Sequence, residues 1–119
     1  MESYGVPDHH LRWSSAWNFF ENGRFGRLNR KQNDRGWVHA GGWVVGRNPE
    51  AGKEWLEVQF PEVPVIVTGV ATQGRHGRYK NWVTKYKLAY FDFSANKMVY
   101  YREKGHKEDK VRHRIAVMF

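Results

Sequence analysis

The chain has no cysteine, and its six histidines (His9, His10, His39, His76, His106, His113) follow no compact metal-ligand spacing. Neither thiol chemistry nor a histidine-built metal centre is expected. No Ser/His/Asp or Cys/His set can be assembled, and Glu54, Glu57 and Glu62 fall on or beside strands rather than as a pair across a cleft. Catalysis is therefore not expected, and no cofactor is implied. The residues that could do chemistry are cations and aromatics crowded into glycine-containing stretches. Residues 73–81 (QGRHGRYKN) hold Arg75, His76, Arg78, Tyr79 and Lys80 with no acid. Residues 14–29 (SSAWNFFENGRFGRLN) hold Trp17, Phe19, Phe20, Arg24, Phe25 and Arg27, and Arg30, Lys31 and Arg35 follow. Such sets suit binding. Aromatics at an interface beside Arg and Lys add apolar burial to attraction for an anionic leaflet. They equally suit sugars, because an aromatic face stacks on a pyranose while Arg and His bond its hydroxyls.

Charge follows the same stretches. Of the net +8, residues 24–35 carry +4, residues 75–87 carry +5 and residues 102–114 carry +3. Residues 1–23 and 36–74 each carry −2, and Asp92 and Lys97 cancel within 88–101. The excess lies in two loops and the tail rather than along the strands. If the two loops meet, they form a cationic site for an anionic partner. Alternating sign in the tail makes a solvated surface its default, with a heparin-like polymer as the functional alternative.

The elements that must position these loops read as strands. Residues 63–72 are almost wholly apolar or β-branched and predict a strand buried on both sides, in the middle of a sheet. Residues 82–91 alternate, with Trp82, Tyr86, Leu88 and Tyr90 on one face and Lys85 and Lys87 on the other, which predicts a strand with one wet face. A third strand spans 54–60. Residues 94–96 form a turn into a strand over 97–101, and 114–119 alternates as a last strand. Residues 1–13 are an entry segment, weakly structured until Leu11 or Trp13. Residues 33–36 and 48–52 are turns, and Gly41–Gly42 breaks an apolar run with Trp43 anchored inside. Trp43, Trp55 and Trp82 are expected in the core. The glycines of segment 14–29 exclude a helix there, and its aromatics either plug the core, the favoured expectation, or stand at a loop tip.

One hundred and nineteen residues with 16% aromatics predict one soluble all-β domain spanning 1–119. No apolar run approaches a membrane span, and the first residues lack signal-peptide features. The absence of cysteine leaves a cytoplasmic location open.

At this point the blocks resemble a known family. TGVATQGR (68–75), followed by WVTKYKLAY (82–90) and preceded by EWLEVQF (54–60), is similar to the central signature of the discoidin, or coagulation factor V/VIII type C, family. WSSAWN (13–18), GRLN (26–29) and GGW (41–43) resemble its upstream elements, so the resemblance covers about residues 7–101. Val44 stands where many members have a cysteine, Gln59 replaces an acidic residue, and the C-terminal part is shortened. The resemblance implies a jelly-roll-like β-sandwich, incomplete at its C-terminal end, with a sheet edge left open.

It further implies a non-catalytic, extracellular or cell-surface binding module with ligand loops at one end. Its partners would be anionic phospholipid membranes or glycans, with collagen, matrix or receptor proteins as the alternative. The site expected from loops and resemblance together comprises Trp17, Phe19, Phe20, Arg24, Phe25, Arg30, Arg35, Arg75, His76, Arg78 and Tyr79. Arg27 is expected to anchor the fold, while Arg75 divides between fold and ligand. A nucleic-acid-binding β domain fits the charge and the aromatics, but no RNP or KH motif supports it.

Overall fold

A computed structural model describes residues 6–32, 41–50, 52–60, 65–102, 111–112 and 114–118. Among the described residues seven strands follow one another: β1 (Leu11–Trp13), β2 (Trp55–Gln59), β3 (Val65–Ile66), β4 (Lys87–Asp92), β5 (Lys97–Tyr100), β6 (Val111–Arg112) and β7 (Arg114–Met118). The helical content of the described residues is three 3-10 turns, Asp8–His10, Phe19–Glu21 and Gly23–Phe25. The strand-rich chain is consistent with a β-sandwich. Five strands form one antiparallel sheet in the order β1-β2-β7-β4-β5, and β3 pairs with β6 in a second, two-stranded sheet.

The larger sheet takes its register from alternation. Leu11 faces Val58, Val58 faces Ile115, Ile115 faces Tyr90 and Tyr90 faces Val99, so one row of apolar residues crosses all five strands. Leu11 and Ala89 are the fully buried apolar residues among those described, each 2% exposed. They lie on opposite faces of the sheet, and Ala89 sits opposite Tyr100, whose ring carries Lys87 Nζ at 5.2 Å. The hairpin read at 94–96 is present, with Asn96 at φ 50° and Asp92 Oδ1 accepting from the Ser94 hydroxyl at 2.6 Å.

Several expectations are corrected. In the run 63–72, only Val65–Ile66 is strand among the described residues, and it belongs to the small sheet. Ile66 is 54% and Val70 40% exposed. A β-branched apolar run forms a central strand only where a ladder flanks it on both sides, and β7 holds that place between β2 and β4. The alternating strand begins at Lys87 rather than Trp82, and Trp82 is 68% exposed, not core. Trp43 and Trp55 are half-buried. Within the tail read as turn-like, Val111–Arg112 is strand, and 103–110 lies outside the described residues. The turn at 33–36 and the strand position of Phe119 lie outside them too.

Candidate functional site

Strand register gathers the aromatic and cationic loops at one end of the sheet. Trp13 pairs with Leu56, and Trp55 and Lys87 both pair with Met118, so the exit of β1 and the entries of β2 and β4 share that end. The β4–β5 turn lies at the opposite end. Serines following β1 secure the near end. Glu54 Oε2 accepts from the hydroxyls of Ser14 and Ser15, each at 2.5 Å. Trp55 N–H donates to Ser14 Oγ, Gly46 N–H donates to Ser15 Oγ, and Trp43 Nε1–H donates to the Ser15 carbonyl. The two serine hydroxyls, with a smaller contribution from the Glu50 backbone, hold the Glu54 carboxyl below its ordinary value of 4.5 against a small opposing effect of burial.

The aromatic loop is built from two asparagines four residues apart. Asn18 Oδ1 accepts from Phe20 N–H at 2.8 Å and starts the turn Phe19–Glu21. Asn22 Oδ1 accepts from Arg24 N–H at 3.0 Å and starts the turn Gly23–Phe25. Asn22 is 6% exposed and also donates through Nδ2 to the Phe19 carbonyl. Each side-chain amide satisfies a backbone group that a 3-10 turn leaves open. The aromatics are pushed outward as a result: Phe19 is 73%, Trp17 46% and Phe20 42% exposed. The favoured expectation that these rings plug the core is therefore corrected for all three. Phe25, half-buried with Arg30 stacked at 5.0 Å from its centroid, comes closest to it.

The two cationic loops meet. Asn29 N–H donates to Gln73 Oε1 at 2.8 Å, Gln32 N–H donates to His76 Nδ1 at 3.1 Å, and Arg78 N–H donates to Gln32 Oε1 at 3.2 Å. Beneath them Arg75 Nη2 bonds Glu21 Oε1 at 2.5 Å, with the two side chains 11% and 13% exposed. Arg75 also stacks on Tyr79 at 5.3 Å, and its Nε has no partner among the described residues. Two glycines allow the approach. Gly77 sits at φ +114°, and a Cβ there would run into Gln32 Oε1. Gly41 bridges His76, and a Cβ there would collide with the His76 carbonyl.

Of the residues anticipated from sequence, Trp17, Phe19, Phe20, Arg24, His76, Arg78 and Tyr79 are exposed on this loop end. Arg75 is committed to Glu21 as a brace between loops. Arg35 lies outside the described residues. Arg27 Nη2 pairs with Asp8 at 2.6 Å, as expected of an anchor, though its Nη1 has no partner among the described residues. Sequence reading missed Arg47, whose guanidinium lies 5.2 Å from the Trp17 centroid. A neighbouring pair of backbone bonds, Trp17 N–H to Val44 O and Val44 N–H to Glu21 O, stitches that third loop on. It also missed the bracing amides Asn18, Asn22, Gln32 and Gln73. Repeated Asn one residue ahead of a short turn was the available signal for the first two. Among the described residues no three metal-ligating side chains come together, and no helix is long and apolar enough to cross a membrane.

The chain is thus strand-rich, with braced loops gathered at one end of its larger sheet, an arrangement consistent with a β-sandwich. No family model matches the chain. It is 34% identical over 114 residues, 93% of its length, to the EGF-like repeat and discoidin I-like domain-containing protein 3 of Mus musculus, and to that of Homo sapiens to the same extent. It is 27% identical over 97 residues, 82% of its length, to retinoschisin of Mus musculus. The chain spans 22% of the length of the first two relatives and 37% of the third. The similarity is thus to discoidin-domain proteins, in line with the sequence blocks 54–60, 68–75 and 82–90.

Proposed function

We propose that the chain is an atypical discoidin-like domain, non-catalytic and working outside the cell or at its surface, whose loop end docks on membranes rich in anionic phospholipid. One observation carries this reading: Phe19, 73% exposed, and Phe20 stand on an asparagine-capped turn. The two rings pack edge to face with centroids 5.6 Å apart, so they expose apolar surface together rather than singly, and a contiguous exposed patch marks an interaction site. Arg24, Arg47, Arg78 and Lys80 are exposed on the three loops gathered at that end. An aromatic ring taken fully from water contributes about 1.5–3 kcal/mol, and each basic residue near an anionic leaflet about 1 kcal/mol. Two rings and three or four cations therefore suffice for reversible membrane binding without a spanning segment. Trp17, Phe25, Arg30, His76 and Tyr79 complete the proposed surface, and Arg75 serves it by holding the loops together.

Co-sedimentation with vesicles of phosphatidylserine and phosphatidylcholine, against phosphatidylcholine alone, tests the reading. Selective binding that the Phe19→Ala/Phe20→Ala variant loses is expected. A folded chain that ignores both vesicles rejects it, and glycans, for which the same aromatic and cationic groups are suited, take its place.

A further inference from the structure

The larger sheet has two edges, β1 and β5, and β5 is the one that invites a partner. Its sequence is Lys-Met-Val-Tyr, and Met98, Tyr100 and the following Tyr101 are 37%, 47% and 53% exposed. Tyr101 N–H donates to the Leu88 carbonyl at 2.8 Å, so the ladder, and the open edge with it, runs one residue beyond the strand. Edge strands are ordinarily blunted by proline, bulges or charge. β5 has no proline, and Lys97 at its start is its single charge. Charge also selects the occupant. In a chain of +8, residues 88–101 carry no net charge, while 24–35 and 75–87 carry +4 and +5. An acidic partner would be drawn to those loops. A second copy of this basic chain meets least repulsion along β5.

We propose that β5 pairs antiparallel with β5 of a second copy, joining the two larger sheets into one. The two-fold axis of such a pair stands perpendicular to the sheet, so facing residues lie on the same face and the register is fixed to even sums. Val99 then faces the partner's Val99, Met98 faces the partner's Tyr100, and Lys97 faces the partner's Tyr101. A shift of two in one direction sets Arg102 against Met98, and in the other it leaves Tyr100 and Tyr101 without a facing strand residue. The chosen register covers all three exposed apolar side chains. Four-residue strands bury less than the roughly 1,200 Å² of stable complexes, so the dimer is weak and concentration-dependent. Because the paired strands are antiparallel, the two loop ends point in opposite directions. Resting on the membrane reading, this arrangement bridges two surfaces rather than gripping one twice.

Sedimentation equilibrium tests the pairing without any membrane. The wild-type mass is expected to rise from one chain toward two between tens of micromolar and about a millimolar. Added salt should strengthen the rise by screening monomer repulsion. Met98→Lys/Tyr100→Lys sets like charges directly opposite and should hold the chain monomeric throughout. Met98→Lys/Tyr100→Glu sets opposite charges in the same register and should restore the dimer at low salt. Both sites are more than a third exposed, and circular dichroism confirms that each variant folds. A wild type that stays monomeric over this range, or a double-lysine variant that dimerises as well as wild type, overturns the proposal. On phosphatidylserine vesicles, wild type that binds should also raise turbidity by clustering them, and the double-lysine variant should bind without clustering.

Discussion

The brace between Glu21 and Arg75 can be broken from either side. Both side chains keep only about a tenth of their surface in water, at 13% and 11% exposure, and bond at 2.5 Å. Glu21→Ala leaves the Arg75 guanidinium buried without its counter-charge, and Arg75→Ala leaves the Glu21 carboxylate with Asn18 Nδ2, at 3.0 Å, as its side-chain partner among the described residues. Removing one partner of a buried pair costs about 3–5 kcal/mol, and the residual solvent contact here argues for the lower end, about 3 kcal/mol. Removing both charges relieves the stranded one, so the double variant should lose less than the sum of the singles by about 1–3 kcal/mol. Urea unfolding followed by tryptophan fluorescence reads this directly. With a slope of about 1–3 kcal/mol/M, each single change should lower the midpoint by at least about 1 M. Singles that each change stability by less than about 0.5 kcal/mol would mark the pair as an ordinary surface contact. Strict additivity in the double variant would show that the two groups do not act as one brace.

Two further outcomes follow from the same loop end. Glu54 has its carboxyl lowered by the Ser14 and Ser15 hydroxyls, so it stabilises the fold above about pH 4.5 and that contribution is lost as pH falls through the lowered value. Acid titration of stability from pH 6 to 3 should therefore be shallower for Glu54→Gln than for wild type; equal slopes would remove the serine–carboxylate knot from the account. Gly41→Ala drives a Cβ into the His76 carbonyl, which backbone cannot evade cheaply, so faster amide exchange is expected at His76 and Gln32 with the β2–β7–β4 ladder unchanged.

Strand type and the hairpin at 94–96 were legible because alternation and turn chemistry are local. The middle of the sheet was not. Residues 63–72 have the composition of a central strand, but whether an apolar run is flanked on both sides depends on which distant segment arrives. Here the segment 114–118 takes that position. Trp82 was misread for a related reason: its alternation with Tyr86 and Leu88 continues the pattern of β4 past the point where the ladder starts. At the site, the crowding of aromatics and cations was visible in the sequence, whereas its architecture was not. Gln32, Gln73 and Glu21 are unremarkable in one dimension and become braces only through partners 44 to 54 positions away. Outward-facing Phe19 and Phe20 depend on Asn18 and Asn22, whose capping bonds span two residues and were the most accessible of the missed signals.

The central claim is that the tip of the aromatic loop enters an anionic membrane. A chain without cysteine allows a nitroxide to be placed at one chosen site, so Phe19→Cys and, at the far end of the sheet, Ser94→Cys can be labelled and compared on phosphatidylserine vesicles. The measurement is collision of the label with oxygen, which partitions into lipid, against a water-soluble nickel complex. The account predicts that the label at position 19 gains oxygen collisions and loses nickel collisions on binding, while the label at position 94 stays aqueous. A bound chain whose label at position 19 remains as exposed to nickel as it is in solution would contradict it.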